Sequence, residues 1–268
     1  MRYFFHAGYL GTNYKGWQKH PDGLSVQQVL EDALSQIFKK TIWIVGCGRT
    51  DASVHASQYF FHLDTTITWE FDLLFRLNHV LPDDIAVFDI IPMDDNAHAR
   101  FDAIQRAYDY FIHTYKDPFL SNFSSLYPIK DWAIDDMNRA AKLLLNYTDY
   151  YAYCKTPDGN THTICNVSEA QVYINQTGDR LRFHISANRF LGKMVRIITG
   201  KLIEIGTGKL SVDEFEAHLI NPQLPQVIKP VYPQGLYLSK ITYTYLNLAP
   251  RSKFSQLLAG TDDTWQKL

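Results

Sequence analysis

The stretch Ile42-Trp43-Ile44-Val45-Gly46-Cys47-Gly48-Arg49-Thr50-Asp51-Ala52-Ser53-Val54-His55, followed closely by Tyr59-Phe60-Phe61-His62-Leu63, sets the reading of the N-terminal half. Two short runs rich in β-branched and aromatic residues, bounded by glycine and polar residues, read as core strands. The octapeptide Gly48–His55 is then a short connection that holds Arg49 and Asp51 on a fixed scaffold. Loops anchored in this way are where chemistry concentrates. A carboxylate beside a guanidinium stays ionised and is oriented by it, as a nucleophile or base requires. Taken alone, an Arg-Thr-Asp tripeptide is more often a capped turn than a site, so its neighbours decide.

Working outward, Arg2 to Tyr9 reads as a strand, and a loop of glycine, basic and aromatic residues follows from Gly11 to Lys19. Ser25 stands three residues before Gln28, a capping spacing that opens a helix. Val26, Val29, Leu30, Ala33, Leu34, Ile37 and Phe38 give that helix an apolar face. A second helix is expected around Glu70 to His79, stopped by Leu81-Pro82-Asp83-Asp84, and Ile85 to Ile91 reads as a strand. The second half repeats this grammar loosely. It has a strand at Arg106 to His113 and a helix at Asp135 to Asn146. A hairpin pairs Ala170–Ile174 with Arg180–Ala187, a long helix runs from Phe190 to Gly206, and a last strand runs from Gly235 to Leu246. The expected class is α/β (α+β): two similar lobes, residues 1–102 and 103–268, with a mostly antiparallel sheet flanked by helices and a cleft between the lobes.

Composition narrows the function. The 268 residues are 46% apolar and carry a formal net charge of −2, so a polyanion site has to come from local clustering. The 17 Tyr and 16 Phe leave room for aromatics that stack on planar ligands. Three cysteines without a CxxC pair and ten histidines without an HExxH spacing speak against a disulfide scaffold or a zinc site. With no signal-peptide pattern at the N-terminus and no apolar stretch of membrane-spanning length, a soluble, cytoplasmic protein is expected.

Four further segments are candidates; one of them, Gly235-Leu236-Tyr237-Leu238, suits a pocket wall, with core strand the better default. His98-Ala99-Arg100-Phe101-Asp102-Ala103 leads into Arg106-Ala107-Tyr108-Asp109-Tyr110, where alternation puts Arg106, Tyr108 and Tyr110 on one strand face. A phenol near an arginine can move a proton or stack on a flat ring; two half-buried strand tyrosines are as good a description from pattern alone. Asn188 is expected to cap the helix, with Arg189, Lys193 and Arg196 along one of its faces, in a stretch whose basic residues from Arg180 to Lys209 meet a single acid, Glu204. Such a stripe suits phosphate contacts, and equally a solvated face. Asn13, Lys15, Trp17 and Lys19 interleave basic and aromatic residues in the N-terminal loop. Neither GxGxxG nor GxxxxGK(S/T) is present.

In this order along the chain, the segments resemble the tRNA pseudouridine synthase A family. The resemblance rests on Gly11-Thr12, Tyr14, Gly16-Trp17-Gln18, Ser25-Val26-Gln27, Gly48-Arg49-Thr50-Asp51-Ala52 with Val54-His55, Asn78 and Leu81-Pro82. It continues through His98-Ala99-Arg100-Phe101, Arg106, Tyr108, Tyr110, Asn188, Phe190, Met194-Val195-Arg196 and Gly235-Leu236-Tyr237-Leu238. It implies a pseudouridine synthase fold and isomerisation of uridine to pseudouridine in the tRNA anticodon stem-loop, at positions 38 to 40. It implies no cofactor and no metal, tRNA as partner, and a homodimer. Carried over residue by residue, Asp51 is the catalytic carboxylate, attacking at C6 or C1′; Arg49 pairs with it and holds the extruded nucleotide. Tyr108 stacks on the uracil and is a candidate to remove the C5 proton, Arg196 braces Asp51, and Leu238 packs against the base. Lys19, Arg100, Arg106, Asn188, Arg189 and Lys193 are the expected RNA contacts. Several positions depart from the family pattern: Ser53 where glycine is usual, Leu10 for aspartate, Tyr150 and Tyr153 for phenylalanine, His162 for arginine, and Arg189 for a small residue. The alternative reading is a divergent RNA-binding paralogue with an altered target or little activity.

Overall fold

The structure is a computed structural model that describes residues 1–224, 226–251, 254–260 and 264–267. The chain forms β1 (Arg2–Tyr9), α1 (Val26–Phe38), β2 (Val45–Gly46), β3 (His55–Asp64), α2 (Leu73–Val80) and β4 (Ile85–Met93). Then come β5 (Gln105–His113), β6 (Ser125–Leu126), α3 (Ile134–Leu143), β7 (Val167–Ile174) and β8 (Arg180–Ala187). The remaining elements are α4 (Met194–Gly206), α5 (Val212–Ile220), β9 (Leu236–Thr242), α6 (Phe254–Ala259) and β10 (Gln266–Lys267). Two compact units result: Met1–Ile104 with Tyr237–Ser252, and Gln105–Leu236 with Lys253–Leu268. The chain thus leaves the first unit near residue 104 and contributes a late strand back to it.

In the first unit β1 lies between β3 and β4, antiparallel to both, and β9 runs parallel to the start of β3. Register sets Phe5 opposite Phe61 and Phe4 opposite His62. β1 and β3 are buried almost throughout, on both faces, whereas β4 is mostly half-buried. Phe4, Phe5, Phe60 and Phe61 are all buried, and Phe5 stacks on Phe61 at 4.8 Å. α1 forms as its spacing predicts: the Ser25 side chain accepts from Gln28 N, Val26, Leu30, Ala33 and Leu34 are buried, and Lys39 closes the helix with φ 52°. The expected strand at Ile42–Val45 is a correction. Only Val45 and Gly46 pair with β3; Ile42 and Ile44 point inward while Trp43 and Val45 are exposed.

In the second unit the ladder runs β10-β7-β8-β5 antiparallel, with β6 parallel to β5. The hairpin β7–β8 forms as expected. α3 is tied to the β7 edge by Asn138, whose Oδ1 accepts from Val172 N and Gln171 Nε2. α5 carries a full capping box, Ser211 with Glu214, that the sequence reading passed over. The long helix is corrected at its start: α4 begins at Met194, not Phe190, and its N-cap is Lys193 in a left-handed conformation, φ 62°. Asn188 therefore caps nothing in α4, and Arg189, Lys193 and Arg196 do not share a helix face. The last strand stops at Thr242. No helix among the described residues is long and apolar enough to cross a membrane.

Candidate active site

The loop that carries Asp51 is held by the backbone of the N-terminal loop. Trp17 N donates to Thr50 O at 3.2 Å, and Ser53 N donates to Tyr14 O at 3.1 Å. Gly11 N donates to His55 Nδ1 at 2.8 Å, which fixes the acceptor nitrogen of that buried ring. Within the loop, Val54 N donates to Asp51 O at 3.2 Å, closing a turn at the carboxylate residue. Two glycines make this approach possible. A Cβ on Gly11 would lie 2.1 Å from Val54 O, and one on Gly16 would lie 2.4 Å from Thr50 O, at a φ of 98° that also favours glycine. Ser53 adopts φ 61°, in the left-handed region that favours glycine.

Side chains lock the loop from beneath. Tyr9 Oη is 2.9 Å from Thr50 Oγ1, and Tyr59 Oη donates to Gly48 O at 2.6 Å. Thr50 is buried, Asp51 is half-buried and Arg49 is exposed. Leu238, almost fully buried, lies opposite Ala56 on β9, one strand away from the exit of the loop. Lys19 sits elsewhere than a free RNA contact would. Its ammonium pairs with Glu31, a carboxylate only 2% exposed, and lies 4.6 Å above the Trp43 ring. Glu31 in turn accepts from Ile44 N and Gln27 Nε2, both at 3.0 Å, tying the segment that leads into the loop to α1. Arg100 is exposed in a turn around His98 Nδ1, with its guanidinium 5.7 Å from the Phe101 ring.

The second unit gathers the other expected residues. Tyr108 and Tyr110 alternate onto one face of β5, but their surroundings differ. Tyr110 is fully buried, donates to Tyr232 O at 2.9 Å and lies 2.8 Å from Ser125 Oγ; burial pushes its phenol well above the usual range. Tyr108 is only half-buried and meets the edge of Phe190 at 5.1 Å. Arg106 Nη1 donates to Asn188 O at 3.0 Å, and Asn188 Oδ1 accepts from Asn166 N and Arg189 N. Asn188 is thus a loop clamp rather than a helix cap. Arg189 Nη1 lies 3.0 Å from His162 Nε2. Arg196 Nε donates to Val231 O at 2.8 Å, fixing the guanidinium at the first turn of α4. Among the described residues no group of three or more His, Cys, Asp or Glu side chains is set to hold a metal ion.

Known proteins were compared with the chain. The tRNA pseudouridine synthase family matches residues 140–244. A tRNA pseudouridine synthase A of Parabacteroides distasonis is 40% identical over 249 residues, covering 90% of this chain and 96% of the relative. One of Porphyromonas gingivalis is 38% identical over 246 residues, covering 90% and 97%. One of Thermoanaerobacter pseudethanolicus is 36% identical over 241 residues, covering 88% and 96%. The chain belongs to the tRNA pseudouridine synthase A family. The mixed α/β architecture, with mostly antiparallel strands and flanking helices, is consistent with that family's fold. What the sequence reading missed in this synthase-family chain is the support under the loop: Tyr9, Tyr59 and Glu31. Their signal was present only as ordinary core residues on β1, β3 and α1.

Proposed function

We propose that the protein isomerises uridine to pseudouridine in the anticodon stem-loop of tRNA, at positions 38 to 40, with Asp51 as the nucleophile. The observation that carries this is Asp51 itself: a half-buried aspartate on a loop fixed at residues 48, 50, 53 and 55, in a chain of this family. A base in a stem has to leave its stack to be reached, and unstacking costs a few kcal/mol. Asp51 then attacks at C6 or C1′ and the N-glycosidic bond breaks; the uracil turns and rejoins the ribose through C5 as the bond to Asp51 is released, C5 loses its proton and N1 takes one up. Nothing is gained or lost overall, so no co-substrate is consumed. In this reading Arg49 holds the extruded nucleotide, and Tyr108 stacks on the uracil and takes the C5 proton. Arg196 contributes fixed positive charge, and Leu238 gives the base an apolar wall.

RNA phosphates are met by Arg100, Arg106, Asn188, Arg189 and Lys193. Contacts of this kind position an RNA without reading its sequence. Lys19 would reach RNA only at the expense of Glu31, and its first role is to neutralise that carboxylate. The protein acts in the cytoplasm, where tRNA is matured, and as a homodimer. The test is conversion of an unmodified tRNA transcript followed by mapping of pseudouridine along it. Modification confined to positions 38–40 supports this substrate; modification only outside the anticodon arm, or none, overturns it.

A further inference from the structure

Tyr9 and Tyr59 are buried tyrosines on neighbouring strands, 5% and 0% exposed, with rings 5.5 Å apart. A purely apolar packing role at these positions would be met by phenylalanine, since a buried hydroxyl has to be hydrogen-bonded to be tolerated. Both hydroxyls are directed at the same eight-residue loop. Tyr59 Oη binds Gly48 O, one residue before Arg49, and Tyr9 Oη meets Thr50 Oγ1, between Arg49 and Asp51. Trp17 completes the seat: its ring stacks on Tyr59 at 4.0 Å, and its backbone N–H donates to Thr50 O. Gly46 is required for it, because a Cβ there would be 2.2 Å from Tyr59 Oη and 2.6 Å from the indole. Thr50 is thereby pinned through both its side chain and its carbonyl, and pinning this buried residue fixes the direction of its neighbours.

We propose that the Tyr9 and Tyr59 hydroxyls are positioning groups for the isomerisation, holding the Thr50 turn so that the Asp51 carboxylate meets the nucleotide at reactive distance. The proposal rests on Asp51 being the nucleophile. A displacement of about 1 Å at a reacting group can cost about a hundredfold in rate, whereas tRNA is held by a wide surface that these two hydroxyls do not touch.

The experiment measures kcat, KM, tRNA dissociation constant and thermal midpoint for Tyr59→Phe, Tyr9→Phe and Thr50→Val. The control is Tyr153→Phe, which removes another buried hydroxyl-to-carbonyl bond, to Phe215 O, in the second unit. Tyr59→Phe is expected to lower kcat about tenfold while KM and the dissociation constant stay within about twofold. Tyr9→Phe and Thr50→Val are expected to lose similar amounts, and their combination no more than either alone, since they break one contact. Tyr153→Phe is expected to lose stability without loss of kcat. A kcat unchanged in Tyr59→Phe and Tyr9→Phe overturns the proposal, as does an equal loss in Tyr153→Phe. Wild-type activity that persists in Asp51→Ala is a separate result; it removes the nucleophile assignment and the proposal with it.

Discussion

Asp51 takes its position from residues that lie far from it in sequence, and the tightest of these are glycines. Gly16 lets the N-terminal loop pass against Thr50 O where no Cβ fits. Gly16→Ala combines that clash with φ 98°, and is expected to cost about 2 kcal/mol or more in stability together with most of kcat, checked by denaturant unfolding and a conversion assay. Ser53 is the opposite case, a side chain standing in the left-handed region at φ 61°. A non-glycine residue there costs roughly 1–2 kcal/mol, against up to ~1 kcal/mol of extra chain entropy for glycine. Ser53→Gly should therefore raise stability slightly, by up to about 1 kcal/mol, with catalysis unchanged or faster; a lowered thermal midpoint would contradict this. The residue pattern Gly-Arg-Thr-Asp was readable in the sequence. Why Gly11 and Gly16 belong to the same feature was not, because the approach of two loops is invisible to local periodicity.

At the scale of elements, helices with caps and an apolar stripe were legible, and those without were displaced. α1 formed where Ser25 and its 3.6-residue spacing put it. α4 did not, because residues 190–193 continue the apolar rhythm yet lie in a turn that ends with Lys193 at φ 62°. Hydrophobic spacing cannot distinguish an extra helical turn from a loop packed over its start. Lys19 has a role that composition does not show. Beside the RNA contact expected of it, it supplies the counter-charge that Glu31 on α1 needs where it is buried. Breaking a buried pair by removing one partner leaves an uncompensated charge. Lys19→Met is expected to cost about 2 kcal/mol, reduced from the fully buried case because the ammonium is partly exposed. Lys19→Met with Glu31→Gln should recover much of that loss. No recovery in the double variant would show that the ion pair is not what holds this junction.

For the whole molecule, pH is the most accessible handle. His6, His62, His98 and His113 all have pKa values lowered, mainly by burial; Arg2 adds to the effect at His62 and His98, and His62 falls to about 4. His184 is raised: burial opposes its charge, but the hydrogen bond and charge of Asp109 outweigh it. A depressed histidine stays neutral in the folded protein while the unfolded chain takes up the proton below pH ~6.5. Its stabilising contribution is therefore complete above that pH and declines as pH falls toward the folded value, at up to about 1.4 kcal/mol per pH unit per proton. With four such groups against one raised, the thermal midpoint should fall as pH is lowered from 7 to 4.5. His62→Asn, which keeps an acceptor for Ala99 N, should flatten that slope; an unchanged slope would exclude His62 as a contributor.

Charge acts at the same scale in RNA binding. The chain is slightly acidic overall, so in the proposed function tRNA is met by local basic residues, Arg189 and Lys193 among them. Arg189→Glu with Lys193→Glu should weaken tRNA binding and flatten its dependence on salt, each lost phosphate contact removing roughly 0.7–0.9 from the slope. Unchanged binding would mean that these residues are merely solvated.

The most direct measurement is tritium release from C5 of uridine-labelled tRNA by the wild-type protein and by Asp51→Ala. Release by the wild type that disappears in the variant, with tRNA binding retained, is the expected result. Equal release by both, or none from the wild type across several tRNAs, would contradict Asp51 as the nucleophile of a tRNA uridine isomerase.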